Sequence, residues 1–297
     1  MQDLIDYLQE GNLLIADGAT GTMLQTMGLP AGMAPDLWNA ERPDAVRAHY
    51  RSYLDAGSEV ILANTFGGNR IKLERTGGLG ARMVELNRAG ASLAVEEAGG
   101  EAYVGGDMGP TGELLAPYGT LQYEDAVRAY AEQALALVEG GVDLLWGETL
   151  TDLNEARALV EGVRQVTDLP VFCSLTFGRS GRTMMGVTPK QAAEVLWPMG
   201  LVAIGANCGE GIPPVVMALD EMRAALPEAV LIAKPNAGVP RLEDGETVYP
   251  LGPAEMAAQV PDLVARGAQV IGGCCGNTPA HIAAIAAAVR QLRESEG

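Results

Sequence analysis

The chain has little positive charge: Lys and Arg total 20 against 38 Asp and Glu, giving a net charge of −18 over 297 residues. Its basic residues form no cluster, which argues against nucleic acid or an anionic membrane surface as partner. Long apolar runs are missing too, since none approaches the roughly 20 residues that cross a bilayer. The opening Met1-Gln-Asp-Leu-Ile-Asp-Tyr carries acids where a secretory leader carries lysine, so a cytoplasmic location is expected. Cysteine is scarce: four residues are too few for a disulfide scaffold at this length, and a reducing compartment keeps such thiols available to a metal. Histidine is scarcer. His49 and His281 both fall in helical stretches and are expected to be structural. No G-x-G-x-x-G follows the first apolar run, which argues against a dinucleotide-binding fold. With no linker, repeat or low-complexity tract, one domain over residues 1–297 is expected.

What the chain does have is a regular alternation. Short apolar runs bounded by Gly, Pro, Asn or Asp recur at Leu13-Leu-Ile-Ala, Val60-Ile-Leu-Ala, Ala102-Tyr-Val-Gly, Leu144-Leu-Trp, Val171-Phe-Cys, Val202-Ala-Ile-Gly, Val230-Leu-Ile-Ala and Val270-Ile-Gly. Between them lie stretches of helical periodicity, among them 44–56, 123–139, 153–166 and 279–292. Thr151-Asp152, Thr188-Pro189 and Thr278-Pro279 are helix-start signals. The glycines of Gly77-Gly-Leu-Gly and Ala98-Gly-Gly read as helix ends or surface turns. Alternating β and α implies a parallel sheet, and eight units in one chain of this size imply closure into a (β/α)8 TIM barrel.

Polar residues collect where the strand-like runs end. Asp17-Gly18-Ala19-Thr20-Gly21 follows the first, Asn64-Thr-Phe-Gly the second, Asp107 the third and Glu148-Thr149 the fourth. Ser174 and Thr176 lie in or just after the fifth, Asn207-Cys208 ends the sixth, Pro235-Asn236 the seventh and Cys274-Cys275 the eighth. In a barrel these ends share one rim, where barrel active sites are built. Three cysteines converging there would form a zinc site with three protein ligands and an open fourth position, the arrangement of catalytic rather than structural zinc. Adjacent side chains in a strand point to opposite faces, so the Cys-Cys pair needs a sharp turn, for which Gly272, Gly273 and Gly276 give freedom. The spacing is also compatible with three buried structural thiols. Cys173, inside an apolar run, reads as a core thiol.

The same segments carry a resemblance. Asp17-Gly-Ala-Thr-Gly-Thr, Asn64-Thr-Phe-Gly-Gly-Asn-Arg, Asp107-Met-Gly-Pro-Thr-Gly, Glu148-Thr, Ser174-Leu-Thr-Phe, Gly205-Ala-Asn-Cys-Gly, Pro235-Asn-Ala-Gly and Gly272-Gly-Cys-Cys-Gly resemble, in order, the motifs of the homocysteine S-methyltransferase family. The resemblance implies a zinc-dependent barrel that methylates homocysteine to methionine, with Cys208, Cys274 and Cys275 as ligands. It further implies that Asp17, Gly18 and Ala19 contact the amino-acid end of homocysteine through backbone N–H groups and a carboxylate, and that Glu148 binds its ammonium. An acid at the barrel mouth pairs naturally with a cation. Thr149, Asn207 and Asn236 would touch the substrate or orient the ligands.

The methyl donor is the open point. The run Asn64-Thr-Phe-Gly-Gly-Asn-Arg looks closer to the homocysteine module of cobalamin-dependent methionine synthase than to the betaine enzymes, implying a methylcorrinoid donor, either methylcobalamin or a separate methylcorrinoid protein. Betaine is an alternative through Trp38, which could line a quaternary-ammonium site. Gly67 stands against it, because the betaine enzymes carry a tyrosine there. S-methylmethionine is a further alternative. A reading of another class is a barrel with a closed structural zinc or a thiol sensor, which binds without turnover.

Overall fold

Strand and helix formation follow from the two hydrophobic periods, and the computed structural model, which describes residues 2–243 and 246–296, builds both. The strands are β1 (Leu14–Ile15), β2 (Val60–Leu62), β3 (Tyr103–Met108), β4 (Leu144–Leu150), β5 (Val171–Leu175), β6 (Ala203–Cys208) and β7 (Val230–Pro235). A hairpin, β8 (Arg241–Glu243) and β9 (Glu246–Val248), precedes the last barrel strand, β10 (Ala268–Ile271). Eight strands form one parallel sheet in the order β1, β10, β7, β6, β5, β4, β3, β2, and an Ala16–Val60 bridge joins its two edges. The sheet is thereby a closed barrel, as the alternation of the sequence implies. The antiparallel hairpin β8–β9 was not expected from the sequence.

Helices cover the outside and begin where their caps place them. Asp152 accepts the Asn154 N–H at 2.8 Å at the start of Leu153–Arg164. Thr188 and Gln191 cap each other reciprocally ahead of Pro189–Leu196. Such caps contribute about 1 kcal/mol each. Gly78 and Gly99 end their helices in the left-handed conformation, where a Cβ would be strained. Cys173 faces the apolar layer between strands and helices, and desolvation pushes its thiol up to about 12, so it is a core residue. His49, buried against the rings of Tyr50 and Tyr53 without a hydrogen-bond partner, is held down at about 4 by desolvation. His281 bonds Thr278 Oγ1 and Leu251 O, tying the last helix to the segment after the hairpin.

The inside of the barrel is layered, because successive side chains of a strand alternate between faces. Leu4 and Leu8 of the first helix plug the amino end together with Tyr103, Leu144, Val60 and Val270. Above them Trp146 and Phe172 meet edge to face, centroids 5.1 Å apart. Two residues further along the same strands stand Glu148 and Ser174, and beside them in the tier are Asp107 and Lys234, all buried. Apolar residues fill the lower tiers and polar ones the tier at the carboxyl ends.

Candidate functional site

The upper tier opens into a cavity of about 290 Å³, whose lining includes Gly18 to Thr22, Asp36, Asn64, Asp107, Glu148, Thr149 and all three motif cysteines. The Sγ atoms of Cys208, Cys274 and Cys275 lie within 4.8 Å of one another. Main-chain bonds fix the turn that brings the pair there: Gly273 N–H donates to Asp17 O, Cys274 N–H to Pro235 O, and Ala237 N–H to Cys275 O. The three glycines serve different ends. Gly276 has φ +78°, whereas Gly272 and Gly273 are needed for close approach, since a Cβ at Gly273 would sit 2.3 Å from Asn277 Cβ. Cys208 itself is left-handed, with φ 60°. Thr149 shares that conformation at φ 63°, a strained state for a β-branched residue that costs of the order of 1–3 kcal/mol.

Asn207 links these two strained positions. Its Oδ1 accepts from Thr149 N–H at 3.0 Å, and its Nδ2 donates to Thr149 Oγ1 at 2.7 Å and reaches Cys274 Sγ at 3.7 Å. Asn236 donates to Gly209 O at 2.7 Å, lies against the Cys208 thiol, and leaves its own Oδ1 buried without a partner. Hydrogen bonds from Cys274 and Cys275 hold the Cys208 thiol far below its ordinary range, while those two thiols are pushed up. The two raised thiols thus donate to one lowered sulfur. Three clustered sulfurs fit a thiophilic divalent cation such as zinc, with a fourth position left for one exogenous ligand.

At the floor stands a buried charge cluster. Lys234 Nζ is 3.2 Å from Asp17 Oδ1 and 3.0 Å from Glu148 Oε1, and lies 4.9 Å above the Trp146 ring. Burial alone would lower the Lys234 pKa, but Glu148 and Asp17 raise it, and the ammonium stays charged. Burial lifts Asp17 and Glu148 while Lys234 opposes the rise. Asp107 is pushed well above the usual carboxylate range by burial and by Glu148. Asp107 Oδ1 is a buried acceptor that receives no hydrogen bond, and Glu148 Oε1 is met by the Lys234 ammonium alone.

Of the residues singled out from the sequence, Gly18, Ala19, Glu148, Thr149 and the three cysteines line the cavity, whereas Asn207 and Asn236 stand behind the cysteines and two further readings need adjustment. The Asp17 carboxylate is spent on Lys234 and on Leu62 N–H, at 2.7 Å, and the residue does not line the cavity. Its N–H and that of Ala19 are bonded to Val60 O and Asn277 O, which leaves the N–H of Gly18 and those of the uncapped helix start Thr20–Thr22 facing the space. Trp38 is buried away from the cavity lining, with the Arg42 guanidinium 5.2 Å above its ring, so it offers no quaternary-ammonium site. Two participants went unassigned in the sequence, Lys234 and Asp107. The inward phase of Ile232 and of Tyr103 would have placed both inside the barrel.

The homocysteine S-methyltransferase family profile matches residues 14–289. The chain belongs to that family. Among curated members it is 34% identical to methionine synthase of Mycobacterium tuberculosis and 32% identical to that of Mycobacterium leprae, over 99% and 98% of this chain. It spans about a quarter of the length of these relatives, 26% and 25%. Among solved structures it superposes on the metallated form of the homocysteine methyltransferase MmuM from Escherichia coli with a TM-score of 0.80 and 25% identity, covering 96% of this chain and 99% of that one. A dihydrodipicolinate synthase, 13% identical at a TM-score of 0.53, shares the barrel alone.

Proposed function

We propose that this chain methylates the sulfur of homocysteine to give methionine, with zinc held by Cys208, Cys274 and Cys275. The observation that carries this reading is one cavity in which three cysteine sulfurs stand above the buried carboxyl groups of Glu148 and Asp107, the Oδ1 of Asp107 without a donor. A thiol for which the site selects must offer an ammonium to those oxygens and a sulfur to the cysteines, and homocysteine has both. Zinc, when bound, would hold the substrate sulfur as thiolate, the nucleophilic form that a free thiol of pKa about 8.5 populates poorly at neutral pH.

The protein's own groups do the rest. Glu148 and Asp107 receive the substrate ammonium, which supplies the donor that Asp107 Oδ1 lacks. The N–H of Gly18 and the first N–H groups of Thr20–Thr26 face the substrate carboxylate, with no side chain capping that helix start. Asn207 fixes Thr149 and Cys274 in one network, so the ligand cysteines enter with their geometry set. The methyl transfer itself requires no general base, since the thiol proton would leave to solvent on metal binding and the thiolate would then displace the donor's leaving group in line.

The donor we propose is a methylcorrinoid, methylcobalamin or a separate methylcorrinoid protein. Likeness to the methionine synthases supports it. So does the rim: Phe66, Leu114, Tyr118, Met184, Val239 and Leu242 are exposed large apolar side chains in the connections that follow the carboxyl ends of the strands, suited to a macromolecule that presents its methyl group at the mouth. The test is methionine formation by the zinc-loaded protein with methylcobalamin, betaine and S-methylmethionine in parallel. Turnover with methylcobalamin is expected; turnover with betaine or S-methylmethionine alone would refute the donor and keep the acceptor.

A further inference from the structure

Burying an ion pair is costly, by several kcal/mol per ion, and exchanging it for apolar packing is often neutral or stabilising. Lys234 sits where the chain had such an exchange open: β7 places Ile232 inward one tier below it, and Trp146 supplies an apolar floor. The lysine is only 1% exposed. Both oxygens of Asp17 are consumed, one by Leu62 N–H and one by Lys234, so Asp17 anchors the lysine rather than facing a ligand. Glu148 is its other neighbour and does line the cavity. Asp17 and Glu148 share this one ammonium, and Asp107 stands beside them in the same tier.

On the reading that the cavity binds homocysteine, we propose that Lys234 is the positioning residue of its ammonium subsite: anchored by Asp17 and resting on Trp146, it holds the Glu148 carboxylate at the cavity floor, where the substrate ammonium meets it. Lys234 touches no substrate atom and acts through Glu148. Specificity for amino-acid thiols over thiols that lack the ammonium is then set from beneath the site. The cation–π contact with Trp146 keeps the ammonium in place when the cavity is empty.

The test compares the zinc-loaded wild type with Lys234→Met, Glu148→Gln and the double variant, by calorimetric titration with homocysteine and with 4-mercaptobutanoate, the same thiol without its ammonium. Lys234→Met is expected to weaken homocysteine binding about 10- to 100-fold, the loss of a charged hydrogen bond, and to leave 4-mercaptobutanoate within about twofold. The double variant is expected to bind homocysteine no more weakly than Glu148→Gln, since the lysine works through that carboxylate. Equal weakening of both thiols, unchanged homocysteine binding, or losses that multiply in the double variant would overturn the role. Should Lys234→Met not fold, Glu148→Gln with lysine retained carries the test: it must lose the same discrimination, and unchanged discrimination overturns the proposal. A wild type that binds neither thiol would refute the reading of the cavity itself, and the role of Lys234 with it.

Discussion

The lower and upper halves of the barrel interior are built from the same strands by the same alternation, yet they do opposite work. Leu144, Ile232 and Tyr103 fill the lower half beside the plug of Leu4 and Leu8, and nothing there lacks an apolar neighbour. Two to four residues on, the same strands carry Glu148, Lys234 and Asp107, with an unpartnered oxygen on Asp107 and a three-sulfur cluster above. The lower half stabilises, and the upper half carries buried charge and left-handed backbone at Thr149 and Cys208 that burial below must offset. The lesson is that inward phase along a strand assigns a residue to the interior, and distance from the carboxyl end assigns it to packing or chemistry.

The largest effect should come from the top. Cys208→Ser or Cys274→Ser is expected to abolish zinc binding, read by metal analysis, and methyl transfer, while the circular dichroism spectrum stays that of a folded barrel. Full activity in either variant would contradict the metal assignment. The opposite pattern belongs to the bottom: Trp146→Ala should cost about 3–5 kcal/mol of stability in a denaturant titration, as large-to-small core changes do. It should also loosen Lys234, because the ring is its floor. A loss below about 1 kcal/mol would show that the lower tier is not the packed half.

His49, packed outside the barrel wall, sharpens the division further. Its folded pKa of about 4 lies below the ordinary 6.5, so the unfolded chain takes up the proton first and stability falls as pH drops from 6.5 through 4. The contribution is of the order of 3 kcal/mol, and His49→Phe should flatten that part of the pH–stability curve without altering zinc content. An unchanged curve would mean that His49 is protonated at no cost. The smallest effect is expected at Asn207→Ala, which unlinks Thr149 from Cys274 and should reduce zinc affinity about 10- to 100-fold, as loss of a ligand-orienting partner does, measured by competition with a chelator.

Much of this was legible beforehand, for identifiable reasons. Eight apolar runs, the caps at Asp152 and Thr188 and the glycine ends at Gly78 and Gly99 are local signals, and each is found where the pattern puts it. The cysteines were legible because each follows a strand-like run, and closing the barrel carries the ends of all such runs to one rim. Lys234 was not, because one lysine after an apolar run reads as the point where a strand meets solvent, and only its phase with Ile232 says otherwise. Asp17 was visible but misassigned in detail: its partner lies 217 positions away, and no local pattern reports a contact of that range. The hairpin β8–β9 is polar, with Arg241, Leu242 and Glu243 all exposed, and so left no hydrophobic trace.

The most direct test of the central claim is the zinc X-ray absorption spectrum of the loaded protein with and without homocysteine. The account predicts three sulfur ligands in the free protein and four with homocysteine bound. Four protein sulfurs throughout, or a spectrum unchanged by saturating homocysteine, would contradict it and leave the cysteines a structural metal site.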